Sequence, residues 1–430
     1  MSASLQDPSG RSCGAVGRRG SLVVVALSLL LAACAYVPLE PLGAERGVRQ
    51  LDPDEQYLWK ESRELQHEIE ISGLLFEDPA LQSYLDRVLA RVAPPELAAA
   101  GIEPRVFVIS NVNFHAYSFA NGVIYIHVAL LSRMQDETQL ATVLTRELAH
   151  VVNRHALRRK RDQRAQADTL AWIGVGASVV QGGGNYKLLA QAASITSVAG
   201  FHYLLETAAD EKGIASLAAA GYDVRETPAF FQMTVDHLAE VHAQGLWGWA
   251  PFSPPPAMTA RIAGYEKLIA ERYAAPVPIR PPVADPAEFR RIVRRAALRQ
   301  AGLELAAGLF VSAEKTARLA LDAQPEDPEA HILLGRALEG QRSKPLPGRT
   351  PPSIHAVREC YEQALRLDQR HAVATRELGM TYYRTTGSAR SPEATTAALR
   401  YLRRYLSLRP DASDADYVRV YIGELESVRR

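Results

Sequence analysis

The stretch Leu144–Ala156, LTRELAHVVNRHA, decides how the rest of the chain is interpreted. It lies in a longer helical pattern that Asp136 can cap and in which apolar residues recur three and four positions apart. Residues four apart stack on one face of a helix, so Arg146, Glu147 and His150 share a face. That face combines a permanent cation, a carboxylate and an imidazole.

This pattern differs by one residue from the H-E-x-x-H motif. In that motif two imidazoles one turn apart bind zinc, and the glutamate activates the metal-bound water. Glu147 and His150 retain the base and one ligand. Arg146 cannot be a ligand, because its guanidinium stays protonated and has no lone pair to donate. A single histidine on an apolar helix is also typical of a core position, so this stretch alone does not identify a site.

A later stretch, ETAADEKGIASLAAAGYD from Glu206 to Asp223, adds the missing context. It resembles the second signature of the zinc metallopeptidase family that contains the CAAX prenyl protease, HtpX and the periplasmic BepA-type proteins. The resemblance covers roughly residues 52–273 and implies a mostly helical domain with a small sheet. It also implies that an edge strand near Val123–His127 holds an extended substrate.

The resemblance implies a role for each matching residue. Glu147 is the catalytic base, and His150 and Glu206 are zinc ligands. Asp210 supports the ligands as a neighbouring carboxylate, and zinc is the cofactor if any metal is bound. Arg146 stands where the family has its first ligand, which puts metal binding in doubt.

Other residues depart from the family pattern as well. His202 and Tyr203 replace a Ser-Arg pair, and two prolines precede Arg261 where relatives often have His-Pro. These departures leave two alternatives for the place that zinc occupies in the family. His202, four residues before Glu206, could substitute as a ligand; alternatively, Arg146 pairs with Glu206 or Glu147 and takes the place of the cation. His115, His127 and His155 have no ligand spacing, and we expect them on the surface or hydrogen-bonded in the core.

The N-terminal residues have the plan of an export signal. Three arginines precede the apolar run SLVVVALSLLLAAC, and the residues Leu31 to Cys34 resemble a bacterial lipobox. We expect residues 1–33 to be a lipoprotein signal peptide and Cys34 to be acylated, with 34–51 as a tether. A plain signal peptide or an N-terminal anchor helix is the alternative. The expected location is the periplasmic side of the bacterial envelope, lipid-anchored in the outer membrane.

The remaining organisation follows from composition and repeats. We expect a metallopeptidase-like domain over 52–273, a proline-rich linker over 274–289 and helical repeats over 290–430. Gly335 and Gly379 occupy matching positions of two copies that resemble tetratricopeptide repeats; a generic helical bundle is the alternative. The predicted fold is therefore a mainly α domain with a small β-sheet (α+β), followed by an all-α domain. Within the sheet, RVFVIS and GVIYIHVAL are expected to pair as a hairpin.

Charge and cysteine content limit the possible functions. The chain of 430 residues has 49 basic and 48 acidic residues, and this balance argues against a nucleic-acid partner. Once Cys34 is acylated and the signal is removed, Cys360 is the remaining cysteine and no intramolecular disulfide can form.

Three functions remain open. The first is an envelope zinc endopeptidase for unfolded or misassembled proteins, with catalysis in doubt because of Arg146. The second is a non-catalytic relative that acts as a chaperone or assembly scaffold through its groove and a protein partner of the repeats. The third is a structural lipoprotein that uses only its repeats.

Overall fold

The computed structural model describes residues 39–43, 51–162, 188, 191, 203–243, 255–275, 278–385 and 391–429. The predicted signal peptide, Cys34 and His202 lie outside these residues, so the lipid anchor and the substitute ligand stay predictions. Residues Pro41–Arg430 belong to one compact unit. Within the described ranges, no helix is both long and apolar enough to cross a membrane.

The first part of this unit is an α+β domain. In chain order its elements are α1 Pro53–Ile71, α2 Pro79–Val92, α3 Pro95–Ala99, β1 Arg105–Ile109, β2 Ala116–Ser118, β3 Val123–His127, α4 Val128–Leu131, α5 Glu137–Val152, α6 Tyr203–Ala219, a short 3-10 helix Val224–Glu226, α7 Thr227–Ala243 and α8 Pro255–Arg272. Asp136 caps α5 as predicted, because its side chain accepts a hydrogen bond from the Gln139 N–H at 2.9 Å. The mainly α domain with a small sheet is confirmed.

The sheet has the strand order β1-β3-β2, with β3 in the centre. β1 pairs with β3 in parallel, and β2 pairs with β3 antiparallel. The predicted hairpin between the first and last of these strands was wrong. The chain reverses twice, once before and once after β2, so β3 runs in the same direction as β1. The second reversal is tight and uses Gly122 at a φ of 87°.

The predicted edge position of Val123–His127 was also wrong. Both sides of β3 are occupied by strands, so it cannot accept a further strand. β2 lies at one edge of the sheet, and its three residues are buried. At the other edge, the segment around Leu75 pairs with Ile109 of β1.

The second part of the unit consists of successive helices that pack on one another along the chain. They are α9 Pro286–Ala306, α10 Phe310–Ala323, α11 Pro328–Ser343, α12 Ile354–Leu367, α13 Ala372–Thr385, α14 Pro392–Leu408 and α15 Ala415–Arg429. Gly335 and Gly379, matched in the sequence repeat, both lie where one helix approaches the next. A Cβ at Gly335 would be 2.5 Å from Tyr361, and one at Gly379 would be 2.9 Å from Leu402. An all-α domain of helical repeats therefore follows the α+β domain; its identity as tetratricopeptide repeats stays a prediction.

The two parts share one hydrophobic core. Phe289 and Ile292 of α9 are buried in the same cluster as Leu85 of α2 and Leu144 of α5. The helix begins at Pro286, inside the stretch expected to be linker, because Asp285 caps it by accepting from two backbone N–H groups. The first turns of α9 are therefore part of the core of the α+β domain.

Glu137 fixes the segment before α9 to the α+β domain. Its buried carboxylate accepts hydrogen bonds from the Val283 and Ala284 N–H groups at 2.6 and 3.0 Å. The hydroxyls of Tyr84 and Tyr222 donate to the same carboxylate at 3.0 and 2.7 Å. The proline-rich stretch is thus held in place at its end, which positions the helical repeats relative to the site on α5.

Candidate active site

Helix α6 packs against α5 at Arg146. Glu206, Asp210 and Gly213 are four and three residues apart, so they lie on one face of α6. A Cβ at Gly213 would lie 3.2 Å from the Cα of Arg146, which is tighter than ordinary van der Waals contact. Glycine therefore permits this approach of the two helices. The approach brings the carboxylates of α6 to the R-E-L-A-H face of α5.

The guanidinium of Arg146 is ion-paired with three carboxylates. Its Nη1 donates to Oε1 of Glu147 at 3.0 Å, and its Nε donates to Oδ1 of Asp210 at 3.2 Å. Its Nη2 donates to Oε2 of Glu206. The side chain of Arg146 is only 17% exposed, so water screens these pairs weakly. The expected pairing with Glu206 or Glu147 is present with both residues, and Asp210 is a further partner.

These carboxylates keep Arg146 charged. Burial acts to lower the pKa of the guanidinium, but the charges of Glu206, Glu147 and Asp210 outweigh it and raise that pKa above its ordinary value. The position predicted for the first metal ligand therefore holds a fixed positive charge with no lone pair.

A second arginine, Arg261 on α8, shares two of the same carboxylates. Its Nε donates to Oδ2 of Asp210 at 2.9 Å and its Nη2 to Oδ1 at 2.5 Å, which is a bidentate pair. Its Nη1 lies 3.5 Å from Oε2 of Glu206. The guanidinium also lies over the ring of Phe231, 4.5 Å from the centroid. Asp210 is thus held between Arg146 and Arg261.

Both oxygens of the Glu147 carboxylate are engaged. Oε1 accepts from Arg146, and Oε2 accepts from the hydroxyl of Ser118 on β2 at 3.0 Å. The residue is 1% exposed. A general base must reach the proton that it takes from water. In this arrangement each oxygen of the Glu147 carboxylate already accepts a hydrogen bond from a protein side chain.

His150 is a buried, neutral imidazole. Burial, followed by the charge of Arg146, lowers its pKa well below the ordinary value. Its Nδ1 lies 2.9 Å from Nδ1 of His155, so one of the two nitrogens carries the shared proton. Its Nε2 lies 3.8 Å from Oε1 of Glu206. The ring therefore has its Nε2 toward the carboxylate of Glu206 on α6.

Arg159 is a third arginine close to these carboxylates. It lies in the helical segment 155–162 and is buried. Burial lowers the pKa of Arg159 to about 10, against the opposing effect of Glu206 and Glu147. Neither Arg159 nor Ser118 was predicted from the sequence. The only signal for Arg159 was a run of basic residues, which suits a helix C-terminus equally well; Ser118 had no signal, because its contact depends on the packing of β2 on α5.

The donor set does not fit zinc. A catalytic zinc takes three protein ligands, and of the three positions predicted as ligands, His150 and Glu206 have donor lone pairs while Arg146 has none. Glu206 already faces Arg146 and Arg261. Among the residues whose placement is described, no group of three or more His, Cys, Asp or Glu could hold a metal ion.

Arg146 on α5 pairs with Glu147 and with carboxylates of α6, at the position where the resemblance to a zinc metallopeptidase predicts the first metal ligand. Residues 79–269 match the sequence profile of Peptidase family M48, and this segment of the chain is a peptidase family M48 domain. Peptidases of this family are zinc metalloproteases. The predicted family is thereby confirmed.

Several relatives are beta-barrel assembly-enhancing proteases. The protein of that name from Escherichia coli strain K12 is 29% identical over 171 residues, which cover 38% of this chain and 35% of the relative. A second relative, from Vibrio cholerae serotype O1, is 30% identical over 171 residues, which cover 38% of this chain and 34% of the relative. The Yersinia pestis protein is 28% identical over 179 residues. The matched region thus spans about a third of the length of these relatives.

Proposed function

We propose that this chain acts in the bacterial cell envelope, in the assembly or quality control of other proteins, by binding unfolded or misassembled polypeptides without hydrolysing them. The observation that carries this proposal is the triple ion pair of Arg146 with Glu147, Glu206 and Asp210. The names of the relatives support a role in envelope protein assembly.

Chemistry favours the non-hydrolytic function. Peptide hydrolysis in this family needs a metal-bound water and a free carboxylate to take its proton. Arg146 offers no ligand, and it occupies one oxygen of Glu147. The same ion pairs neutralise carboxylates that face one another across α5 and α6, so the domain keeps its fold without a metal.

A second candidate function is zinc-dependent proteolysis. The retention of Glu147, His150, Glu206 and Asp210 in a Peptidase M48 domain favours it. This function requires another residue in place of the first zinc ligand. The sequence indicates His202 for that role, because it lies four residues before Glu206. In that case zinc would be present in the purified chain and would be lost in His202→Ala.

A casein cleavage assay separates the two functions. The wild-type chain, Arg146→His and the double variant Arg146→His/Glu147→Gln are compared in the presence of zinc. We expect no cleavage by the wild type, cleavage by Arg146→His, and none by the double variant, which restores the ligand but removes the base. Cleavage by the wild type that a chelator stops would instead establish the protease.

The envelope location is part of the proposal. Acylation of Cys34 would attach the chain to the periplasmic face of the outer membrane, and the helical repeats would bind a protein partner there. Incorporation of labelled palmitate into the wild type but not into Cys34→Ser tests the anchor. Membrane fractionation then gives the location.

A further inference from the structure

A buried carboxylate lies where the first repeat helices meet the α+β domain. Glu304, in the last turn of α9, is 1% exposed. Nη2 of Arg133, in the turn 132–135 that precedes α5, lies 3.6 Å from Oε1 of Glu304. This separation is too long for a hydrogen bond. Nη1 of Arg133 donates to Oε2 of Glu240 on α7 at 3.4 Å. Glu304 therefore shares its nearest cation with a second carboxylate.

Glu304 and Gln300, one helical turn apart on α9, form an incomplete hydrogen-bonded pair. Nε2 of Gln300 donates to Oε1 of Glu304 at 3.0 Å. Oε2 of Glu304 and Oε1 of Gln300 are buried and have no hydrogen-bond partner among the residues that the structure describes. Both atoms are acceptors while the carboxyl is ionised, so neither can satisfy the other. A proton on Oε2 converts it into a donor, and a protonated carboxyl can form a second, reciprocal hydrogen bond with a carboxamide.

The surroundings of Glu304 favour its neutral form. Burial raises the pKa of this carboxyl above its ordinary value of 4.5, and the charge of Arg133 and the side chains of Gln300 and Thr316 oppose the effect only in part. The last turn of a helix also carries carbonyl groups without helical partners, which disfavour a negative charge. Removing an ionised carboxylate from water therefore costs more than its distant ion pair returns.

The other charged groups at this junction surround Arg133. They are Glu240 and His237 on α7 and Lys315 on α10, which pairs with Glu240. Arg133 exerts the largest effect of any charged group on Glu304. Helix α4, which also packs on α9, has no ionisable side chain. More than two turns before Glu304, basic residues of α9 pair with acidic residues outside it: Arg294 with Asp327 and Arg295 with Asp78.

We propose that Glu304 is a pH-sensitive switch at this junction. As the pH falls, Glu304 takes up a proton from the solvent, and its ion pair with Arg133 is replaced by the reciprocal hydrogen-bonded pair with Gln300. Arg133 then pairs with Glu240 alone, and the packing of α9 and α10 on the α+β domain becomes more stable. The switch does not depend on the proposed function.

The direction of the switch follows from proton linkage. The folded chain holds a proton on Glu304 more firmly than the unfolded chain does, so this group adds stability as the pH falls and removes it as the pH rises. Buried neutral histidines act in the opposite direction. The test must therefore compare two proteins that share those histidines and differ at Glu304.

Hydrogen exchange of the full chain tests the switch through Glu304→Gln, which has the uncharged, donating group of the protonated form at every pH. Mass spectrometry measures exchange of the α9 and α10 amides in the wild type and in the variant at pH 5 and pH 8. The ratio of the wild-type rate to the variant rate cancels the intrinsic effect of pH on exchange. We expect this ratio to rise about tenfold from pH 5 to pH 8, since one pKa unit corresponds to a factor of ten.

Two results of this comparison would overturn the switch. A ratio that does not change with pH would mean that Glu304 has the same pKa in the folded and unfolded chains. A ratio that falls as the pH rises would mean that the ion pair with Arg133 outweighs burial. Glu288→Gln is the matched control, because Glu288 lies on the same helix with a side chain that is 36% exposed. Its ratio should be the same at both pH values.

A titration of the wild type keeps the proposal testable if Glu304→Gln folds poorly. The full chain is labelled with ¹³C at the glutamate carboxyl carbon and followed by NMR as the pH is lowered. Glu304→Asp, which retains a carboxyl group, identifies the Glu304 resonance by its absence. We expect that resonance to titrate with a midpoint above the ordinary value of 4.5. A midpoint at or below this value would contradict the switch.

Discussion

Arg146 on α5 donates a hydrogen bond from Nη2 to Oε2 of Glu206 on α6, 60 residues further along the chain. The family resemblance predicts the first and third zinc ligands at these two positions. In this chain the first position supplies a positive charge directly to the third. The guanidinium of Arg146 is therefore an internal cation between the carboxylates of α5 and α6.

Replacement of Arg146 by methionine should destabilise the domain. Arg146→Met removes the charge but keeps much of the volume, and it leaves buried carboxylates without one of their partners. We expect the free energy of unfolding in urea to fall by about 3 kcal/mol. Arg87→Met is the control, because Nη2 of Arg87 lies 3.9 Å from Oε1 of Glu288 in a pair whose side chains are 49% and 36% exposed, and such a pair contributes at most about 1 kcal/mol. Equal effects of the two substitutions would contradict the importance of the internal cation.

The close approach of α6 to α5 predicts opposite effects of alanine at two helical glycines. Gly213→Ala would place a Cβ 3.2 Å from Cα of Arg146 and should destabilise the chain by about 1–3 kcal/mol. Gly264 on α8 has no atom within 4 Å of its hypothetical Cβ. Gly264→Ala should therefore stabilise the chain by about 0.5–1 kcal/mol, because alanine is the better helix former. Thermal unfolding measures both, and a stable Gly213→Ala would show that the helices are further apart.

Glu137 should control how firmly the helical repeats are attached. Glu137→Gln replaces one acceptor oxygen by an NH₂ group, which then faces either the Val283 N–H that donates to Oε1 or the Ala284 N–H that donates to Oε2, so this segment loses one of its two hydrogen bonds to residue 137. We expect a loss of about 2–4 kcal/mol and faster hydrogen exchange at these two amides. Glu288→Gln, on the exposed face of the next helix, should leave their exchange unchanged. Slow exchange in Glu137→Gln would mean that other contacts hold this segment.

The stability of the chain should decrease in mild acid. Burial lowers the pKa of His127 to about 4, and burial with the charges of Arg133 and Lys315 lowers the pKa of His237 to about 3. Their ordinary value is 6.5, so below that pH the unfolded state binds more protons and the folded state loses stability. As the pH falls from 7 to 5.5, each of these histidines should lower the free energy of unfolding by about 1 kcal/mol. Urea unfolding of His237→Gln should show a correspondingly smaller loss; the same loss as in the wild type would mean that this histidine is already protonated in the folded chain.

The local parts of the fold were predictable from sequence. Asp136 and the apolar spacing identified α5, and the family signature paired Glu206 and Asp210 with that helix. These features depend on residues close together in the chain or on a motif. The strand order was not predictable, because β2 has three residues between turn-forming segments and its identity comes from pairing with β3.

The environment of Arg146 was predictable only in part. Its pairing with a carboxylate follows from chemistry, since a buried guanidinium needs an anion. The roles of Arg261 and Arg159 depend on how α8 and the segment 155–162 pack around Asp210 and Glu206. Such long-range geometry leaves no periodic pattern in the sequence.

The zinc content of the purified chain tests the central claim most directly. The wild type and Arg146→His are prepared without chelators, dialysed against trace zinc, and measured by inductively coupled plasma mass spectrometry. If Arg146 takes the place of the metal, the wild type should contain no stoichiometric zinc. Arg146→His, which restores a three-ligand site, should contain about one zinc per chain. One zinc per wild-type chain would contradict it and would show that another residue, with His202 the first to replace, completes the metal site.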